Sequence, residues 1–406
     1  MKLVKMSLAA AMLMGASAFA IENVKVSGDA KLFYSTNDSM DPSYTANDDA
    51  ALFNKVSSAG QAALGLGVTA DLTEGVSAGT HLTALTSLGL YNNLVANVWE
   101  GTPEDEFWFD EAWIAGTVGK TTGKIGRMEL DTPLVFSESW SIAKNTFEAA
   151  VVINQDIPDT TLVAAYVGQT SGSMLSTKSG YAGVTSDFVG ASANTNFQSF
   201  WNGAYAFGAV NNSWEPLTAQ AWYYDAQQSV QAYWLQADFN MEGIVAGLQY
   251  TGISYVGGGL TGVAADTDGN AFAGKLGYEA DSFGVSAAYS QTGEDAGAGF
   301  NLDGYAQSKL YTEAWWNYGY ITGADTSAIN VTATYSMKDI VDLGAYYTMT
   351  DQTDKAGDAD MTELTLEVAK SFGPLDTGLY YIMTDAKDQN NGDASNTIQV
   401  YLTYNF

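Results

Sequence analysis

From residue 23 to the end of the chain, apolar side chains keep returning at every second position. In 60–72, Ala62, Leu64, Leu66, Val68, Ala70 and Leu72 share one parity, while Gln61, Ala63, Gly65, Gly67, Thr69 and Asp71 share the other. The terminal stretch is cleaner: Ile398, Val400, Leu402, Tyr404 and Phe406 alternate with Thr397, Gln399, Tyr401, Thr403 and Asn405. Successive side chains of a strand point to opposite faces, so each such segment is a strand with one greasy and one polar or small face. A period of two excludes helices over almost the whole chain.

The pattern predicts 18 strands, at about 23–35, 60–72, 75–87, 107–118, 122–130, 146–155, 159–169, 201–211, 217–226, 230–240, 243–253, 270–280, 283–292, 326–337, 339–350, 361–372, 375–385 and 396–406. The gaps alternate too. Odd gaps are long (36–58, 88–106, 131–145, 170–200, 254–269, 293–325, 351–360, 386–395), with 227–229 the one exception, and even gaps hold only a few residues. An antiparallel meander with loops at one end and tight turns at the other is the pattern of a transmembrane β-barrel. Lipid offers backbone groups no partner, so strands there must close on themselves. The expected fold is therefore all-β: a transmembrane antiparallel barrel of about 18 strands. Outward aromatics near strand ends (Tyr34, Phe109, Tyr166, Phe239, Tyr404) fit an interfacial girdle. An exported soluble β-sandwich or β-helix is the alternative, and it leaves the gap asymmetry unexplained.

Residues 1–20 have a different character. Lys2 and Lys5 precede an apolar stretch from Leu8 to Met14, and Ala18-Phe19-Ala20 supplies small residues for cleavage. This is the pattern of a secretory signal peptide, leaving 21–406 as the barrel domain. Its loss leaves 46 acidic side chains against 14 basic ones. Such an imbalance repels phosphate backbones and argues against a nucleic-acid partner. The absence of cysteine excludes disulfides and thiolate metal sites.

Three blocks carry a resemblance: GKTTGKIGRMELDTP at 119–133, NTFEAAVVINQDIPDTTLVAAYV at 145–167 and WEPLTAQAWYYDAQQSVQAYWLQADF at 214–239. With the opening VKVSGDAKLFYS and the closing YLTYNF, they resemble the Campylobacter-type major outer membrane porins, relatives of the OprD-like porins. The resemblance implies an 18-stranded barrel in a Gram-negative outer membrane, a homotrimer, and a third outer loop folded into the lumen. It also brings the family's lumenal Ca²⁺, with no ligands fixed. The expected activity is passive diffusion of ions and small hydrophilic solutes through a water-filled channel. A non-conducting barrel serving as adhesin or envelope scaffold is the alternative.

A barrel this wide leaves an aqueous channel, and charges at its narrowest ring set selectivity. On 122–130, Ile125, Arg127 and Glu129 share a parity opposite to Lys124, Gly126 and Met128. A charge facing lipid near the midplane costs roughly 2–4 kcal/mol, which assigns Arg127, Glu129 and Asp131 to the lumen. Glu111 on the preceding strand joins them, and the loop 131–145 adds Glu138 and Lys144. One reading is an acid-lined constriction around the only arginine; the other makes Arg127 a salt-bridged tie to Glu129 or Glu111. Either way, the acids predict cation preference.

Most tryptophans (Trp108, Trp113, Trp140, Trp201, Trp222, Trp234, Trp315, Trp316) are expected in interface belts or loop packing, the alternative being that a minority form a greasy stripe along the lumen. Tyr404 and Phe406 are the expected assembly signal for the barrel-assembly machinery. The acid clusters of the outer loops, and Asp266 and Asp268 in 265–270, offer oxygen ligands for Ca²⁺ or Mg²⁺ and bridges to lipopolysaccharide. No enzyme is expected. The sole histidine, His81, lies on a strand with its side chain on the lumen parity, and no nucleophile is paired with it.

Overall fold

The computed structural model describes residues 21–39, 51–98, 105–171, 197–227, 229–256, 266–303, 307–353 and 359–406. The strands are β1 (Glu22–Asn37), β2 (Ser58–Thr73), β3 (Val76–Thr86), β4 (Glu106–Val118), β5 (Thr121–Met128) and β6 (Phe147–Asn154). Then come β7 (Thr160–Thr170), β8 (Gln198–Trp214), β9 (Leu217–Ala226), β10 (Val230–Met241), β11 (Ile244–Tyr255) and β12 (Thr267–Glu279). The last six are β13 (Phe283–Thr292), β14 (Thr326–Met337), β15 (Val341–Gln352), β16 (Met361–Phe372), β17 (Leu375–Ala386) and β18 (Ser395–Asn405). Each pairs antiparallel with its sequence neighbours. β18 pairs with β1 from Asp29↔Asn405 to Asn37↔Thr397, closing an 18-stranded sheet. The backbone of Phe406 completes the seam, exchanging both hydrogen bonds with Gly28 at 2.8 and 2.9 Å. The sheet closes on itself, which is the condition for a sheet in lipid.

The alternation sorts by face. Outward positions are aliphatic at mid-height (Leu64, Ile114, Ile125, Leu248, Leu276, Leu366), and all are exposed. Aromatic pairs flank this band. Toward the loop end lie Tyr166 with Tyr205, Tyr233 with Tyr250, and Phe272 with Tyr289, at ring separations of 5.2 to 6.0 Å. Toward the turn end lie Trp214 with Phe239, Tyr278 with Phe283, and Tyr404 with Phe406, at 6.0 to 6.4 Å. An apolar belt between two aromatic girdles is the outside of a membrane barrel. Apart from Trp214, these girdle pairs are built from Tyr and Phe. The expectation for tryptophan needs correction: Trp108, Trp113, Trp222 and Trp234 lie on the inward parity, and Trp108, Trp222 and Trp234 are buried.

Two departures from the sequence pattern have local causes. β5 stops at Met128, two residues short of expectation, because Gly126 (φ +128°) bends the chain off the β4 ladder after Ala112↔Arg127. β8 begins at Gln198, earlier than expected, since positive φ at Trp201, Asn202 and Gly203 lets the chain irregularly regain its pairing with β7.

Candidate functional site

Two long loops enter the barrel and meet. One is the third loop, which contains 131–145, and the other is the seventh, between β13 and β14. The main buried cluster unites Leu134 and Val135 of the third loop with Leu302, Leu310, Ala314 and Ile321 of the seventh, against wall residues such as Tyr224 and Trp234. On the other side, Ile142 and Ala143 pack with Phe33, Leu85 and Trp108 of β1, β3 and β4. The loops thus cross the lumen.

Polar groups fasten them together. The Leu302 amide donates to the Leu134 carbonyl at 2.8 Å. Asn301, fully buried, accepts from the Phe136 amide (3.3 Å) and donates to the Phe136 carbonyl (2.9 Å) and Glu138 Oε1 (2.8 Å). Asn145 donates to Asp303, and Thr170 of β7 donates to the same carboxyl at 2.9 Å. Trp201 Nε1 donates to the Leu302 carbonyl at 2.8 Å. The seventh loop is then tied to β16 by Glu363, which accepts from the amides of Trp315 (2.8 Å), Trp316 (3.0 Å) and Asn317 (2.8 Å) and from the Asn317 side chain (2.9 Å). Trp315 stacks on Tyr380 at 4.6 Å.

Burial pushes the Glu138 carboxyl up to about 8, against hydrogen bonds from Asn301 and Trp140, and pushes Asp303 up to about 7. Glu313 is raised well above its ordinary range by burial, with Glu138 and Glu363 nearby adding to it. Asp303 Oδ1 and Glu313 Oε2 find no hydrogen-bond partner among the described residues. The sign follows from linkage. These carboxyls titrate near 4 in an unfolded chain, so the joint is firmest below that pH and weakens as pH rises through about 7 and 8. Hydrogen exchange of 131–145 should therefore accelerate between about pH 4 and 8 beyond its intrinsic pH dependence, and Asp303→Asn should reduce the change below about pH 7. Protection that does not vary with pH would contradict this.

The predicted site residues separate into three groups. Glu129, Asp131 and Lys144 carry exposed charges of the third loop, and half-buried Glu111 lies on the lumen side of β4, accepting from Trp113 Nε1 at 3.1 Å. Lys144 pairs with Glu129 at 2.7 Å, and Asp131 pairs with Lys309 of the seventh loop. Lys124, on the inward parity of β5, lies 4.2 Å over the Trp113 ring within electrostatic reach of Glu111 and Glu129. Lys124 and Lys309 were missed at the sequence level. Both are ordinary lysines in sequence, and only the folding of two loops onto one wall brings them in.

Glu138 is the second group. It is buried inside the joint, 3% exposed, and does not line the passage.

Arg127 is the third, and its lumenal assignment is corrected. It shares its register rung with Ala112 and its parity with outward Ile125. Its Nη2 and Nε hold Glu148 of β6 (2.9 and 3.1 Å), Nη1 donates to the Phe109 carbonyl (2.7 Å), and the guanidinium lies 3.8 Å over the Phe197 ring. Because β4 runs on beyond the end of β5, Arg127 fills the notch between β4 and β6 and caps an otherwise free carbonyl. It ties the wall, with Glu148 as partner in place of Glu129 or Glu111.

Around the loops, Glu111, Glu129 and Asp131 are matched in number by Lys124, Lys144 and Lys309. The acid excess lies lower, near the turn end. There Asp342 accepts from Ser336 (2.5 Å), Glu367 from Tyr346 (2.6 Å) and Tyr380 (3.1 Å), and Asp376 from Ser371 (2.6 Å) and Asn405 (2.9 Å). None of the three has an ion-pair partner among the described residues. Asp342 and Glu367, with Glu279 and Asp281, border a recess of 430 Å³.

Among the described residues no three acidic or histidine side chains converge as a metal site. Asp266 precedes β12 and Asp268 pairs with Ser254 in the ladder, so the segment forms no calcium loop. The clusters at 48–49, Glu104 and 354–358 lie outside the described residues, as do 1–20.

No family model matches the chain, and no curated protein matches its sequence. Solved structures do. Acinetobacter baumannii OccAB1 superposes with a TM-score of 0.73 at 14% identity, covering 96% of this chain and 97% of that one. Pseudomonas aeruginosa OccK8 (OprE) gives 0.72 at 17% identity, over 96% and 99%. Pseudomonas aeruginosa OpdK, solved with vanillate, gives 0.71 at 12%, over 95% and 99%. These neighbours are OprD/Occ outer-membrane porins, and the 18-stranded fold of this chain is theirs.

Proposed function

We propose that this chain is an outer-membrane porin, a water-filled channel for passive diffusion of ions and small hydrophilic solutes that favours cations. The observation that carries the cation preference is the uncompensated acid of the turn-end lumen, Asp342, Glu367 and Asp376, below a loop region whose charges pair off. A cation entering this half lowers its energy against fixed carboxylates, and an anion does not. The OprD-like fold supports the same class; the finer Campylobacter-type likeness of 119–133, 145–167 and 214–239, which the comparisons with solved structures do not reproduce, is the ground on which a homotrimer is proposed. Export by a cleaved leader would deliver the chain to the membrane, where loop acids could meet lipopolysaccharide through divalent ions.

Purified protein should give discrete single-channel steps in a planar bilayer. Absence of any step would favour a non-conducting adhesin or scaffold. The Tyr404–Phe406 end, exposed on the outside at the closing seam, is proposed as the assembly signal. Deleting Phe406 removes two seam hydrogen bonds and should lower outer-membrane yield. A yield equal to wild type would count against this.

A further inference from the structure

His81 sits on β3 among contacts from β1, β2 and β4 that the permeation reading does not use. The β3–β4 register slips between His81↔Glu111 and Leu82↔Phe109, leaving Asp110 as an extra residue. Such a bulge breaks the alternation and turns both Asp110 and Glu111 toward the lumen side. His81 Nδ1 lies 2.8 Å from each Asp110 oxygen, and Thr83 holds that carboxylate at 3.0 Å. On its other side the ring reaches across β2. Its Nε2 comes within 3.9 Å of Asp29 on β1, itself paired with Lys31 at 3.0 Å. The crossing is possible because β2 carries Gly65 and Gly67 beneath the ring: a Cβ at Gly65 would strike Asp29 and the imidazole, and one at Gly67 would crowd Ser27 and the imidazole. The imidazole retains 24% of its exposure, so it exchanges protons with lumenal water.

The charges facing it are Asp29 and Lys31 from β1, Asp110 and Glu111 from β4, and Lys124 of β5 beyond Glu111; β2 contributes only glycines there. We propose that His81 is a specificity-determining residue that makes the cation preference of the lumen depend on protons. As imidazolium it neutralises one carboxylate of the cluster. As neutral imidazole it leaves the lumen wall one charge more negative. An imidazole is the one side chain that makes this change between pH 5 and 8 at its ordinary affinity. This inference rests on the cation-favouring channel reading.

The test is the cation-to-anion permeability ratio from zero-current potentials in KCl gradients, from pH 5 to pH 8. The wild-type ratio should rise with pH, about 2- to 5-fold, the effect of one elementary charge a few ångström from a passing ion in water. His81→Gln, which keeps a donor toward Asp110, should lack that step. The joint carboxyls Glu138 and Asp303 remain in this variant, so any change they cause persists in it. The chain has a single histidine, so its imidazole gives one NMR signal in detergent micelles, and that signal should titrate over the same pH interval as the ratio. A ratio that is flat with pH, an equal step in His81→Gln, or an imidazole titrating over a different interval would overturn the proposal. A pH-flat cation preference would leave the channel reading standing; absence of current at every pH would overturn that reading, and the proposal with it.

Discussion

Replacing Glu363 by alanine is expected to free the seventh loop from the wall and raise single-channel conductance. Glu363 is only 2% exposed and accepts from three consecutive backbone amides and one side-chain amide. Its removal strands three N–H donors, each costing roughly 1–3 kcal/mol if left unpaired in the interior. Lumenal water would recover part of this, so a net local loss on the order of 3–5 kcal/mol is the expectation. Stacking of Trp315 on Tyr346 and Tyr380 resists the release without replacing the hydrogen bonds. Hydrogen exchange of 310–322 should accelerate strongly, with a larger and noisier open channel. Glu363→Gln, which retains one acceptor oxygen, should fall between. Unchanged exchange and conductance in the alanine variant would show that this anchor does not hold the loop.

The second large effect is expected from Asn301→Ala. One amide there satisfies the backbone of Phe136 from both sides and holds Glu138 in a site with no solvent access. Deleting it leaves a buried N–H, a carbonyl and a carboxyl short of partners, a loss of about 2–4 kcal/mol at the joint. The third loop, 131–145, should then lose exchange protection while the anchor of 315–317 at Glu363 persists. The two variants are thus told apart by which loop loosens, although both widen the passage. Asn301→Ala should also part Lys309 from Asp131 and so shift ion selectivity, an effect Glu363→Ala should show less strongly.

Much of this architecture was legible in the chain. The strands at 217–226, 283–292, 326–337 and 361–372 end where the alternation ends, because a one-residue slip would turn a greasy face into the lumen. The long and short gaps correctly placed loops at one end and turns at the other. The bulge at Asp110 was not legible, since an extra residue in one strand shows only against its partner. Arg127 exposes a different limit. Parity puts it with Ile125, and the cost of charge in lipid then favoured flipping both inward. That cost applies at mid-bilayer; at the ragged rim where β5 ends, Glu148 and a free carbonyl compensate the guanidinium. The entry of the seventh loop was equally hidden. Its tyrosines and tryptophans signalled packing, but nothing in the loop itself says that the partner is the third loop and the lumenal wall. The net charge of −30 was visible from the start, yet its bearing on permeation depends on which acids the fold leaves unpaired inside.

The proposed channel favours cations through its turn-end carboxylates. Zero-current potential across a planar bilayer with a tenfold KCl gradient tests it most directly. The account predicts a potential of the sign set by K⁺ permeation, reduced when Asp342, Glu367 and Asp376 are replaced together by Asn, Gln and Asn. A potential of the opposite sign, or one unchanged in the triple variant, would contradict it.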